Sequence, residues 1–430
     1  MTSNRRKGRG KNMKGSGSIG SGGYGCVFLP ALKCDNDDDN TNADIDNMDP
    51  RTKYVTKLLT NKHAETEFAL IRKFDKRLRS IPDYANYFLV ANVAKCRPGP
   101  LTKRDMHAYD KQCKPLIKKN ITRKNINRSL HKVTSILIPY GGDTVDDFCL
   151  AHANDYPAME GILSSLQDLL IRGILPMNGL GLFHGDIKSS NIMFYHGKSK
   201  LIDWGLAFDM TTFGSKNIKN SVDRMATYRP FQFNLPPSCI LFNDEFSDAI
   251  DAFLLTQEPN QKPSRDDIVA FAAGFIGDWN QIRGEGSISI MNTIYGKLVP
   301  YASTKFDIPY AGKERSGAYM GRDDAVPAFA VHYIANILEK YIRGGEFYLE
   351  EYYHQEYLKN LDIWGFVISF TVLFNLLSSN SATLNASENN SLASLCKLFI
   401  HVLEHDSDPI DVTYISTLVG QMRDNYRTPS

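Results

Sequence analysis

The stretch His184-Gly185-Asp186-Ile187-Lys188-Ser189-Ser190-Asn191-Ile192-Met193-Phe194, followed by Asp203-Trp204-Gly205, decides how the whole chain is read. It sets an aspartate, a lysine two residues on and an asparagine five residues on before a short apolar strand, with a second aspartate after the next strand. Moving a phosphoryl group from a nucleoside triphosphate needs one carboxylate near the attacking hydroxyl. It also needs a second acid and an amide oxygen for a divalent cation, and cations on the phosphates. Each residue alone has an ordinary explanation, as a loop aspartate, an Asx turn or a solvated lysine. Together, and in this order, they point to phosphoryl-transfer chemistry.

Upstream, Ile19-Gly20-Ser21-Gly22-Gly23-Tyr24-Gly25-Cys26-Val27-Phe28 carries G-x-G-x-x-G. In a dinucleotide fold these glycines would open a helix. Here Cys26-Val27-Phe28-Leu29 is strand-forming, so the glycines read as the tip of a β-hairpin whose backbone N–H groups approach phosphates closely. A Gly/Ser linker continuing from residue 15 is the equally weighted alternative. Lys53 to Leu59 is strand-like and holds Lys57; Ala64 to Phe74 has helical spacing and holds Glu65 and Glu67. Val133 to Pro139 reads as a strand stopped by Pro139 and the Gly141-Gly142 pair.

These residues resemble the signature set of the protein kinase superfamily, over roughly 17–240 and again from about 361. The resemblance implies an α+β, two-lobed fold: a small antiparallel-sheet N-lobe over 18–140 and a larger, mainly helical C-lobe over 141–430. ATP and Mg2+ would bind in the cleft between the lobes. Ile19 to Val27 would cover the phosphates, and Lys57 would pair with them and with an acid. Glu67 is preferred for that acid because Leu70, Ile71 and Phe74 follow at core-facing spacing; Glu65 is the competitor. Asp186 would accept the substrate hydroxyl proton, Lys188 would sit on the γ-phosphate, and Asn191 and Asp203 would hold magnesium. Pro139 and Gly141 would face adenine, although a plain Pro/Gly turn fits them as well. Asp362-Ile363-Trp364-Gly365 opens the apolar run to Leu377 and resembles the buried helix whose aspartate bonds the catalytic loop. A lysine two residues after the catalytic aspartate is similar to Ser/Thr rather than Tyr kinases. Ile81-Pro82-Asp83-Tyr84, Pro139-Tyr140-Gly141-Gly142 and Gln232-Phe233-Asn234-Leu235-Pro236 are similar to kinases of large cytoplasmic DNA viruses, iridovirus- and mimivirus-like, which implies host cytoplasm or virion.

Departures from the pattern are informative. Gly185 replaces the arginine of H-R-D, leaving no cation there to receive a phosphorylated activation loop, so activity without such phosphorylation is expected. Trp204 stands for the usual Phe, and Arg229 to Pro237 occupies the place of A-P-E. An insertion over about 240–355 separates the activation segment from the buried helix. Two other readings follow. One is a small-molecule phosphotransferase of the aminoglycoside or choline kinase type, which shares His-Gly-Asp and Ile-Asp-Trp. The other is an inactive pseudokinase scaffold, disfavoured because Lys57, Asp186 and Asp203 are all present.

Composition bounds the rest. The 430 residues are 42% hydrophobic and 23% charged, ordinary for a globular chain, which excludes wholesale disorder and a small disulfide scaffold. Net charge is only +2, so no overall field announces nucleic acid or membrane. Residues 1–17 are a basic Gly/Ser-rich tail, expected to be a disordered, solubilising end, with weak nucleic-acid contact or targeting to a particle or nucleus as its candidate roles. Residues 35–49 hold seven aspartates and read as a solvated loop; residues 96–131 are basic and irregular. The seven cysteines are scattered and never spaced C-x-x-C, predicting neither a disulfide framework nor a zinc site. With no apolar leader visible, an intracellular soluble protein without membrane contact is expected, its partners being protein substrates.

Overall fold

Runs of β-branched and apolar residues pair antiparallel in the first part of the chain, and amphipathic helices dominate the remainder. The computed structural model describes residues 17–21, 25–35, 54–212, 229–258, 261–302 and 328–427. The acidic stretch from 36 to 53, the tail before Gly17, and Ser215, Ser221 and Thr227 lie outside the described residues. The architecture is mixed α+β, 59% helical, with small antiparallel sheets. It divides into two compact units, one reaching to Arg79 and resuming over Leu89–Gly141, the other comprising Ser80–Phe88 and the chain from Gly142.

In the first unit, β1 (Gly17–Ser21) and β2 (Gly25–Leu29) form a hairpin, and β3 (Tyr54–Thr60), β4 (Ala94–Cys96) and β5 (Val133–Pro139) complete a sheet of order β1-β2-β3-β5-β4. Helix α1 (Asn61–Leu78) follows β3 directly and buries Ala64, Ile71, Phe74 and Leu78, one stripe at helical spacing. The basic stretch 96–131 is less irregular than its charges imply. It contributes Tyr109, Cys113, Leu116, Ile121 and Ile126 to one apolar cluster with Cys26, Phe28 and Leu58. Its lysines and arginines obscure this because only every third or fourth residue is apolar.

The cysteine expectation is corrected here. Cys26 is bonded to Cys113 and Cys34 to Cys96, while Cys149, Cys239 and Cys396 are buried free thiols. The partners lie 87 and 62 residues apart, so no local spacing announces them. Tertiary packing brings them together: Cys26 on β2 meets Cys113 between the helical turns Tyr109–Gln112 and Lys114–Ile117, and Cys34, bridged to Pro98, meets Cys96 at the end of edge strand β4. Closing loops of that size removes about 4 kcal/mol of unfolded-state freedom each in the chain-entropy account.

In the second unit, helices α2 (Val145–His152) and α3 (Tyr156–Asp168) pack beside strands β6 (Ile192–Tyr195) and β7 (Lys198–Leu201). Thr144 and Asp155 cap them, accepting from the amides of Asp147 and Ala158. The insertion forms helices α4 (Asp244–Leu255), α5 (Arg265–Arg283), α6 (Ile288–Pro300) and α7 (Ala328–Tyr341). Arg265 on α5 bonds Glu339 and Asn336 on α7, and Asn336 in turn donates to Asp406.

The expected single helix over 361–377, opened by Asp362, is also corrected. Helix starts at Leu349, passes through a π-helical stretch Tyr353–Tyr357 into α8 (Leu358–Ile368), and breaks at Ser369-Phe370 before α9 (Thr371–Ser379). Ser369 and Thr371 turn their hydroxyls back onto the carbonyls of Gly365 and Ile368, which competes with helix continuation at the break. Apolarity alone could mark Leu349–Ser379 as a membrane span, but 78% of its most apolar window is buried within the protein. Helices α10 (Ala386–Glu404) and α11 (Val412–Arg427) close the unit.

Two outcomes are expected. Alkylation in denaturant without reductant should modify three cysteines, and all seven only after reduction; mass spectrometry reads this directly. Burial pushes the Asp406 carboxyl up to about 6, against hydrogen bonds from Asn336 and Ser407 that pull it down. A raised folded pKa gives stability that is full below the unfolded value and lost as pH rises through about 6. Asp406→Asn should therefore gain on the parent protein as pH rises from 4 to 6, by up to ~1.4 kcal/mol per pH unit in denaturant melts.

Candidate active site

The first unit supplies a lysine and an acid. Lys57 sits in the centre of the sheet, opposite Val27 on one side and Ile136 on the other. Its Nζ lies 2.6 Å from Glu67 Oε1, with both side chains close to nine-tenths buried. Glu65, the competing acid, is 63% exposed and pairs with Lys95 instead. Two residue positions on the helix separate these outcomes, because Glu67 reaches Lys57 in the sheet centre and Glu65 reaches Lys95 on the edge strand.

Around them, Gly20 pairs with Val27 and Ser21 with Cys26, with an irregularity between Ser18 and Gly20. Ile19 lies within β1, while Gly22, Gly23 and Tyr24 at the hairpin tip lie outside the described residues. Cys26, expected beside a cofactor, turns its side chain the other way: it is fully buried and bonded to Cys113. Alternation along β2 then leaves Gly25 and Val27 on the opposite face. Pro139 ends β5 opposite Tyr54, and Gly141 is buried just beyond it.

By itself, the second unit holds a group of polar side chains around Asp186. Asp186 is buried, and its carboxylate is ringed by three nitrogen donors. Lys188 Nζ lies 2.9 Å from both oxygens, Asn191 Nδ2 donates to Oδ2 at 2.9 Å, and Asn234 Nδ2 donates to Oδ1 at 2.9 Å. Asn191 Nδ2 also meets the Asp186 carbonyl at 2.8 Å, which leaves its amide oxygen turned away from Asp186. The Ile202 amide donates to the Asn191 carbonyl at 3.0 Å, so Asn191 lies beside the residue preceding Asp203. Asp203 is exposed and adopts a left-handed φ of 63°, a strained conformation for a non-glycine residue. An amide oxygen and a carboxylate at neighbouring positions are hard donors that suit Mg2+, which takes few protein ligands and completes its octahedron with water and phosphate.

The loop carrying these groups is anchored from below. Asp362 on α8 accepts at Oδ2 from the His184 amide (2.9 Å) and Asn178 Nδ2 (2.8 Å), and at Oδ1 from the Gly185 amide (3.0 Å). Gly185 has φ of 68°, a left-handed conformation that suits glycine. His184 Nε2 meets the Ile202 carbonyl at 2.9 Å and Nδ1 faces the Asp186 amide at 3.3 Å, an arrangement that fits the proton on Nε2. Trp204 is buried edge-on between Phe88 (5.7 Å) and His184 (5.0 Å), fixing the backbone next to Asp203.

Asn234 was not singled out from the sequence. It sits in Gln232-Phe233-Asn234-Leu235-Pro236, where no spacing or pattern distinguishes an asparagine that reaches 48 residues back from any turn asparagine. Beside it opens a cavity of about 490 Å³ lined by Asp146, Ser189, Phe233, Ile290, Thr371 and Asn375. Burial raises the Asp146 carboxyl above its usual range, while a hydrogen bond with Ser189 opposes the shift.

Gly365 on α8 permits the close approach of both strands of this site. A Cβ there would lie 2.6 Å from the Ile187 carbonyl oxygen and 3.2 Å from that of Asn234. Alanine favours helix over glycine by about 1 kcal/mol, yet such overpacking typically costs about 1–3 kcal/mol. Gly365→Ala is therefore expected to lower the denaturation midpoint despite its better helix propensity. An unchanged or raised midpoint would show that the two backbones can retreat. No protein-family model and no curated protein matches this chain, so what the site does is argued from its geometry.

Proposed function

We propose that this chain is an ATP-dependent protein kinase that transfers the γ-phosphate of Mg-ATP to serine or threonine hydroxyls, with the two-lobed arrangement of that superfamily. The observation that carries the reading is the Asp186 carboxylate, buried and held by Lys188, Asn191 and Asn234 on a loop anchored through Asp362. Mg-ATP would supply the electrophilic phosphorus and the cation that offsets charge on the phosphate oxygens. Asn191 and Asp203 are the residues suited to hold the ion, and Lys57, fixed by Glu67, the one suited to the phosphates.

Asp186 would act as the acceptor of the hydroxyl proton. Each of its oxygens already takes one amide hydrogen bond, and Lys188 covers what remains of both. A shift of Lys188 onto a phosphoryl group would uncover those lone pairs for an incoming hydroxyl, without moving Asp186 itself. The cavity beside Ser189 and Phe233 offers space for a side chain of a peptide substrate near the acceptor.

Transfer of labelled γ-phosphate from Mg-ATP to basic proteins tests the reading. Label is expected on serine or threonine, falling by about 10²–10⁴-fold in Asp186→Asn, as for loss of a positioned base. Lys57→Ala and Asp203→Ala should abolish transfer as well. Near-parental turnover in any of the three overturns the assignment. Label on small alcohols but on no protein assigns the chain to the small-molecule phosphotransferases instead.

A further inference from the structure

The segment from Arg229 to Pro237 has almost no regular structure, yet Phe231, Asn234, Leu235, Pro236 and Pro237 are buried. Three of its nine residues are prolines, which donate no N–H, so it cannot build a ladder of its own. Its carbonyls are met from outside instead. The Arg229 oxygen accepts from Trp279 Nε1 at 3.2 Å, the Phe231 oxygen from the Ser287 amide at 2.8 Å, and the Phe233 oxygen from Trp364 Nε1 at 3.0 Å. The carbonyls of 229, 231 and 233 are thus met from outside the segment, the first two by donors of the insertion, while the Gln232 oxygen accepts from the segment's own Leu235 amide at 3.1 Å.

The insertion also presses on the segment sterically. Gly286, between α5 and α6, has φ of 54°, and a Cβ there would lie 2.3 Å from the Phe231 oxygen and 2.7 Å from Pro230 Cβ. Behind this contact the insertion is braced. Trp279 is buried with Arg283 stacked over it, Arg283 pairs with Glu245 on α4, and Arg265 ties α5 to α7.

We infer that the inserted helices work as a fixed clamp on residues 229–235, holding Asn234 against Asp186 so that the segment needs no phosphate to order it. Trp279, Gly286 and Ser287 are thus positioning residues that act through Asn234. The inference rests on the proposed role of Asp186, and it gives the insertion a task that its sequence does not announce.

The test pairs kinetics with hydrogen–deuterium exchange on the full chain. Trp279→Phe keeps an aromatic ring, smaller than the indole, and removes the N–H donor; Gly286→Ala puts a methyl group against Phe231. Each is expected to speed exchange at the amides of Phe231 to Leu235. Each should also lower kcat for a basic protein substrate by about tenfold, misplacements well under 1 Å being enough for that, with the KM for ATP unchanged. In an Asn234→Ala background neither should lower kcat further. A full tenfold loss persisting in that background, or unaltered exchange in Trp279→Phe, overturns the clamp. If the parent protein transfers no phosphate, the kinase reading fails by itself; exchange then decides alone, faster exchange in the variants upholding the clamp and unaltered exchange removing it.

Discussion

A buried carboxylate, Asp362, is the group on which the site depends. It is 1% exposed, deep in the most apolar stretch of the chain, where an unmatched charge would cost several kcal/mol. Three donors meet it, two of them the consecutive amides of His184 and Gly185. Those amides would otherwise be buried donors without partners, so the acid and the loop each need the other. The direction of Asp186 follows, because its amide comes next in the chain and its backbone has little freedom once its two predecessors are fixed.

Gly365 extends the same constraint by one turn of α8. Where Asp362 pulls the loop down by hydrogen bonds, Gly365 lets it and residue 234 approach the helix backbone. The helix thereby sets the height of Asp186 and of Asn234 together, which is why two segments 48 residues apart meet at one carboxylate. In the first unit a covalent constraint serves a similar purpose: Cys26 and Cys34 fasten both ends of the β2 region to the basic stretch, so a segment rich in solvated lysines is nonetheless packed.

How much of this was legible in the sequence depended on the range of each interaction. The mixed α+β class, strand β5, the β6–β7 hairpin and the order of the Asp186 loop follow from local patterns, since turns and alternation are properties of neighbouring residues. The preference for Glu67 over Glu65 rested on helical spacing, and the pairing with Lys57 obeys that spacing. Disulfides, by contrast, join residues whose proximity is set by tertiary packing, and sequence separation conceals it. Asn234 was hidden for the same reason, and the break at Ser369-Phe370 because a serine in an apolar run gives no sign of where its hydroxyl will turn.

The two acids of the site are held in opposite ways, and the difference fits their chemistry. Asp186 is buried and surrounded by donors, a state in which its position is fixed while its lone pairs are masked. Asp203 is exposed, and its geometry is imposed through the backbone. A left-handed φ at a non-glycine residue costs of the order of 1–3 kcal/mol and persists only where its surroundings overdetermine it. Trp204 does so: its ring, wedged between Phe88 and His184, forfeits a large burial if the backbone at 203 relaxes. Under the proposed reading, an exposed carboxylate on a fixed Cα would suit a hydrated cation, which takes few protein ligands and keeps several waters. The bulk of the tryptophan ring thus holds the backbone at 203 through burial.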